Sequence, residues 1–386
     1  MGLLGEQRLG TIRFLLALSV VAAHVRNLPF SVELGSLLAV QSFYIISGFL
    51  IALVWTNKYS HQPNGLLLFY SNRAARIYIL YWVVLVVSIV IAQIIKTTTH
   101  NYPGYFGSQP HAILPYKIFI NAFIFGSSWA YWLGFDDSTG LYFTLDYTTS
   151  PYPVWSVMSL GPAWTLDLEL TFYLLAPFLV KARLKYIFGI IAASLVARFT
   201  WYAMGHDVDP WLYRFFPFEI GLFLAGVASY RVWSALAWKP SAMILMVIFV
   251  GVVVSVLDYT RIGLPHGPYA SFLYLFVFAA LIPCVFELTR SWKVDRFLAD
   301  MSFPLYLAHW PVSGIWFYFR DYLHLSPPWP EYSGLIPAIA SVATAALLVI
   351  VLERPVEKWR QSRITSAPSD LPATSDVSPA ATPVSP

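Results

Sequence analysis

Ten apolar runs, each long enough to cross a hydrocarbon layer, occupy most of this 386-residue chain, at about 9–28, 36–55, 76–95, 161–180, 186–204, 212–230, 240–257, 268–288, 302–320 and 333–353. No other feature constrains the fold as strongly, because backbone amides in lipid must find their partners inside the protein and runs of this length predict helices. Composition agrees: 58% of the residues are hydrophobic and 11% charged, against a charged share of about 25% in soluble domains. The expected fold class is all-α, a polytopic membrane protein with about ten transmembrane helices. The first run is kept as a mature span rather than a signal peptide, because Arg13 and His24 interrupt it and no small-residue cleavage pattern follows. The single cysteine, Cys284, excludes an intrachain disulfide framework.

Charge sets the expected orientation. With the N-terminus inside, sixteen Lys and Arg fall in inner segments and five in outer ones, while Arg13, Arg198 and Arg214 lie within spans. This positive-inside bias predicts that both termini are cytoplasmic. The expected transmembrane domain covers 1–363, and the Ser, Pro, Ala and Thr of 364–386 predict a disordered cytoplasmic tail. Between the third and fourth spans, about 97–160 forms an outer segment rich in Tyr, Trp, Pro and Gly. A crossing within it, over Ile118 to Leu133, would invert every later loop, so a re-entrant or interfacial hairpin is expected there.

The few polar residues inside spans can be placed by depth. At 1.5 Å per residue His24 lies roughly 22 Å above the inner end of the first span, whereas Arg13 stays near the inner surface. Glu169, Glu219, Gln41 and Ser42 then come to a level similar to that of His24. A histidine beside a carboxylate is oriented and kept basic, which suits it to removing a proton from a hydroxyl nucleophile. The alternative is that each acid pairs with a buried arginine, such as Arg198 or Arg214, and serves assembly.

Arg73 and Arg76, three apart at the start of the third span, share a helix face. With Arg13 they make a cationic cluster suited to a phosphorylated ligand, although on the residues alone juxtamembrane arginines read as topology or lipid-headgroup residues. His309, in the ninth span, either lines a ligand channel or satisfies a neighbouring carbonyl. The remaining histidines show no spacing that suggests a metal site, so no metal is expected.

Several blocks resemble the acyltransferase-3 family of integral membrane O-acyltransferases. Arg13 and His24 match its arginine, ten residues, histidine signature, and Phe43 to Ile51 is similar to its Ser-Gly-Phe-Leu-Ile block. Arg73 and Arg76 match its paired arginines, Trp164 to Tyr173 its Trp-Ser-Leu, Glu, Phe-Tyr segment, and Ser302 to Trp310 and Glu353-Arg354-Pro355 complete the set in family order. The chain departs from the family at Gly10 and Gln41, where acids are common, at Thr165 in place of serine, and at Pro304. Many relatives carry an added extracytoplasmic hydrolase-like domain after the last span; with the short tail here, any such partner is expected to be separate.

The resemblance implies transfer of an acyl group, most simply acetyl, from cytoplasmic acyl-CoA to a sugar hydroxyl of a surface glycan or its lipid-linked precursor. It implies a multi-pass protein of the bacterial inner membrane, with acyl-CoA, a carbohydrate acceptor and the bilayer as partners and no nucleic acid. His24 would be the general base, oriented by Glu169, or would carry a transient acyl group. Arg13, Arg73 and Arg76 would bind the CoA phosphates, with Gln41, Ser42, Glu219 and His309 as substrate or supporting residues. Arg13 and His24 stand about 16 Å apart along one helix, comparable to an extended pantetheine arm. The outer aromatics Trp129, Tyr131 and Trp132 would form a sugar platform or pack at the interface. The rival readings are a proton-coupled transporter using buried His and Glu residues, and a membrane scaffold held by buried charges.

Overall fold

The computed structural model describes residues 9–25, 28, 34–95, 110–236, 240–259, 267–324 and 332–364. Twelve α-helices occur among them: α1 (Gly10–Val25), α2 (Gly35–Val54), α3 (Gly65–Ile95), α4 (Leu114–Phe123), α5 (Trp164–Leu179), α6 (Leu184–Ala203), α7 (Phe216–Ala235), α8 (Ala242–Leu257), α9 (Pro268–Thr289), α10 (Lys293–Tyr322), α11 (Leu335–Leu348) and α12 (Arg354–Ser362). Each of the ten apolar runs is occupied by a helix, and the described residues are all-α apart from one small sheet. Among the described residues five stretches are long and apolar enough to cross a membrane: α2 with its continuation to Tyr59, α3, α6, α9, and the unbroken α11–α12 stretch. Helices α1 and α8 are apolar but have 16 residues each, or about 24 Å of rise against a hydrocarbon core of about 30 Å. The expected tail, from 365 onward, lies outside the described residues.

Two helix contacts position everything that follows. Helix α2 packs along α7 at a separation only glycine permits. A Cβ on Gly48 would stand 1.8 Å from the Phe223 carbonyl oxygen, and one on Gly226 would stand 1.9 Å from that of Ile45. Small residues facing one another let two backbones approach in an apolar medium, where dispersion replaces the hydrophobic drive.

Helix α1 packs along α10. The first turn of a helix leaves its backbone N–H groups without intrahelical partners, and here an acid from the other helix accepts them. Asp295 takes Gly10 N–H at 2.8 Å, Thr11 N–H at 2.7 Å and the Thr11 hydroxyl at 2.8 Å. A Cβ on Gly10 would meet the Asp295 carbonyl oxygen at 1.7 Å, so the absence of an acidic side chain at position 10 is a requirement of this crossing.

Within the outer segment the described part, from 110, contains no crossing helix. Helix α4 has 10 residues, about 15 Å of rise. A three-stranded antiparallel sheet follows, with β1 (Leu133–Asp136) central between β2 (Gly140–Phe143) and β3 (Tyr152–Pro153). Asp136 pairs with Gly140 across the β1–β2 turn, where Gly140 adopts φ +75°. The expected hairpin is therefore a short helix plus a sheet, whose strands of two to four residues are too brief to leave an alternating pattern in the sequence.

Gly48→Ala and Gly226→Ala should each destabilise the protein by about 1–3 kcal/mol through overpacking. Gly189→Ala, at a helix position with open space around it, should be neutral or slightly stabilising. Thermal midpoints of the three variants in detergent, compared with the parent, check this.

Candidate functional site

Three cavities stand in file between α1, α2, α3, α5 and α10. The first, about 50 Å³, is walled by Arg13, Arg73, Arg76, Ser47, Glu169 and Tyr173. The second, about 80 Å³ and mostly apolar, shares Arg13, Ser47, Glu169 and Phe303 with the first, and extends past Phe43, Tyr44 and Thr165 to Tyr306. The third, about 200 Å³, shares Val40 and Tyr306 with the second and contains His24, Tyr131, Trp164, Arg214 and Trp310. The structure thus brings the three arginines together at one end of the file and leaves His24 at the other, as the spacing along α1 requires.

The arginine end is where Glu169 belongs. Its carboxylate accepts from Ser47 Oγ at 3.0 Å and from the Tyr173 hydroxyl. It makes no hydrogen bond to His24, so the expected carboxylate–imidazole pair is corrected. The reason lies at the start of α5. Residues Gly161–Ala163 form a tight 3₁₀ turn, and Gly161 and Pro162 line the same cavity as His24. Glu169, seven residues beyond Pro162, is about 10 Å further along the helix. A depth ruler applied to separate spans cannot see this offset.

Glu219 is also remote from His24. It forms a fully buried ion pair with Arg198 at 2.6 Å, and Gln41 Nε2 donates to both carboxylate oxygens at 3.4 Å. These residues join α2, α6 and α7 outside the three cavities, and Glu219 makes the pairing with a buried arginine that the sequence offered as the alternative. Ser42 is fully buried and lines none of the three cavities.

His24 is exposed to the third cavity. Its Nδ1 lies 2.8 Å from the carbonyl oxygen of Val20, one turn earlier. A carbonyl only accepts, so Nδ1 carries the proton and the lone pair of the neutral ring is on Nε2. The ring lies 5.1 Å from that of His309 and edge-on to Trp310 at 5.4 Å, centroid to centroid. His309 repeats the arrangement with Nδ1 2.7 Å from the Tyr306 carbonyl, while its Nε2 is buried and has no hydrogen-bond partner among the described residues. The site therefore pairs two imidazoles.

Sequence reasoning missed the opposite wall. Arg214 lies 3.8 Å over the Tyr131 ring and 4.2 Å over that of Trp164. Asp209 anchors it at 2.7 Å through Nε and 3.1 Å through Nη2, and also accepts from the Tyr147 hydroxyl at 2.7 Å. Cation–π contacts of this kind strengthen when desolvated. The outer segment thus delivers Tyr131, Tyr147 and Trp155 to the cavity. Of the other two aromatics expected there, Trp129 is exposed and Trp132 packs against Trp211. The signal available in the sequence was the density of aromatics in 129–164. Among the described residues no cluster of three or more His, Cys, Asp or Glu could hold a metal ion.

The acyltransferase-3 family model, described as an acyltransferase domain, matches residues 7–352. No curated protein and no solved structure matches the chain.

Removing one partner of the buried Arg198–Glu219 pair should cost about 3–5 kcal/mol, because the other charge is left uncompensated. Arg198→Met and Glu219→Leu should each lower the thermal midpoint sharply, and the double variant should recover most of the loss. A double-mutant cycle on midpoints in detergent measures it.

Proposed function

The chain belongs to the acyltransferase-3 family of membrane acyltransferases, and from that premise we propose that it moves an acyl group, most simply acetyl, from acyl-CoA to a sugar hydroxyl. The file of cavities joining the arginine cluster to His24 is the observation that carries this reading. In a multi-pass protein oriented by its charge bias, both termini and the arginine end face the cytoplasm of a bacterial inner membrane, where acyl-CoA is supplied. Arg13, Arg73 and Arg76 bind the phosphates, since guanidinium groups form charge-assisted pairs with phosphate oxygens. The pantetheine arm lies in the mostly apolar middle cavity, and the thioester reaches the third.

There the acceptor hydroxyl gives its proton to His24 Nε2 as its oxygen attacks the thioester carbonyl carbon. The tetrahedral intermediate collapses with cleavage of the C–S bond, and the leaving thiolate takes the proton back from His24. The products are the O-acyl sugar and free CoA. Tyr131, Tyr147, Trp155 and Trp164 offer flat apolar faces to a sugar ring. Glu169 acts at the donor end, where its charge lies among the arginines, rather than on the base. The transporter reading draws no support from Glu219, which is held by Arg198 and is remote from the cavities.

Purified protein mixed with labelled acetyl-CoA tests the reading. His24→Ala should abolish transfer to glycan while leaving donor binding within about two-fold, as expected for loss of a general base alone. Arg73→Ala and Arg76→Ala should each weaken donor binding by about ten-fold, the loss of one charge-assisted phosphate contact. Counterflow of a solute without any acyl loss would establish transport instead.

A further inference from the structure

We propose that Tyr306 is the partition between the donor and acceptor cavities, a positioning residue that keeps the open histidine cavity from the bound thioester until an acceptor is seated. This rests on the donor route and base assigned above. Tyr306 belongs to α10 and, with Val40, is common to the walls of the middle and histidine cavities. Thr165 Oγ1 donates to the Pro162 carbonyl at 2.9 Å and accepts from the Tyr306 hydroxyl at 2.8 Å, which also lies 3.3 Å from that same carbonyl oxygen. Three oxygens thus latch α10 to the beginning of α5. The ring meets Phe43 of α2 edge-on at 6.1 Å, which holds its other side.

The two chambers differ as such a partition requires. The middle cavity is lined chiefly by apolar side chains, whereas the histidine cavity presents an exposed imidazole, a buried guanidinium and several tyrosines. Water standing beside His24 is a competing nucleophile: its oxygen would attack the thioester carbonyl, its proton would pass through Nε2 to the departing thiolate, and carboxylate plus CoA would result. Excluding water until the acceptor arrives suppresses that side reaction. A hydroxyl latch suits the task because it opens by rotating one side chain, without moving a helix. It also gives Thr165 a purpose, since a hydroxyl is what the latch uses there.

The test needs no knowledge of the acceptor. Binding of labelled acetyl-CoA and release of CoA thiol without any acceptor are measured for the parent, Tyr306→Ala, Tyr306→Phe and the double variant Tyr306→Ala/His24→Ala. Tyr306→Ala should bind donor like the parent and release CoA about ten-fold faster or more, with Tyr306→Phe between the two and the double variant returned to the parent's rate. Unchanged release with donor bound overturns the partition and leaves the donor route standing. Failure of the parent itself to bind acetyl-CoA overturns the donor route and the partition with it. Should Tyr306→Ala aggregate, Thr165→Val removes the two shorter contacts of the latch at nearly constant volume, and it must raise CoA release if the partition is to stand.

Discussion

The register of α1 on α10 is the constraint on which the histidine site depends. Asp295 accepts the first backbone amides of α1 and so fixes Gly10 against the start of α10. Both helices then run in the same direction for fourteen residues, or about 21 Å, and arrive at His24 and His309 side by side. The pairing of the imidazoles is thus set two-thirds of a membrane thickness away by one carboxylate. A slip of one residue would rotate His309 by about 100° around its axis and separate the rings. Gly10 belongs to the same device, because only a residue without a side chain allows the Asp295 backbone so close.

Given that register, the His24 ring needs no carboxylate to orient it. Each imidazole gives its Nδ1–H to a carbonyl of its own helix, three or four residues back. A backbone carbonyl has two lone pairs and can hold this proton beside its helical bond. The helix therefore chooses the tautomer, and Nε2 is left with its lone pair. Acids are then free for other work, and the structure uses them so: Asp295 for register, Glu219 to neutralise Arg198, Asp209 to anchor Arg214, and Glu169 beside Arg13.

Much of this was legible in the sequence, and what was not has a common cause. The apolar runs located ten of the twelve helices, and the eleven-residue interval from Arg13 to His24 gave the separation of the two ends of the file. Helical rise measures distance along one helix well and says nothing about which face a residue occupies or where its neighbour begins. Glu169 was placed level with His24 by counting rise along two separate spans, whereas Gly161 and Pro162, at the 3₁₀ turn ahead of α5, are the residues that line the cavity of the histidine. The same blindness to faces hid Gln41 behind Glu219. The Tyr131–Arg214–Trp164 stack was hidden for another reason: it arises from contacts among the outer segment, the start of α5 and the residues just before α7, which no local period records.

The location of the aromatic stack has a consequence for how the cavity is kept open. Apolar side chains lining a void in a helical bundle tend to collapse into it, since a gap forfeits dispersion on one side. Here the guanidinium of Arg214 is fixed from below by Asp209 and faced by Tyr131, Trp164 and Tyr213, and Asp209 is itself held by Tyr147. Rings tied to an ion pair cannot swing inward without uncovering a buried charge, and a desolvated charge left unpaired is far costlier than a small cavity. The polar anchor thus props the apolar walls apart, and a chamber of about 200 Å³ persists next to His24. The middle cavity, lined mostly by apolar side chains, is smaller at about 80 Å³.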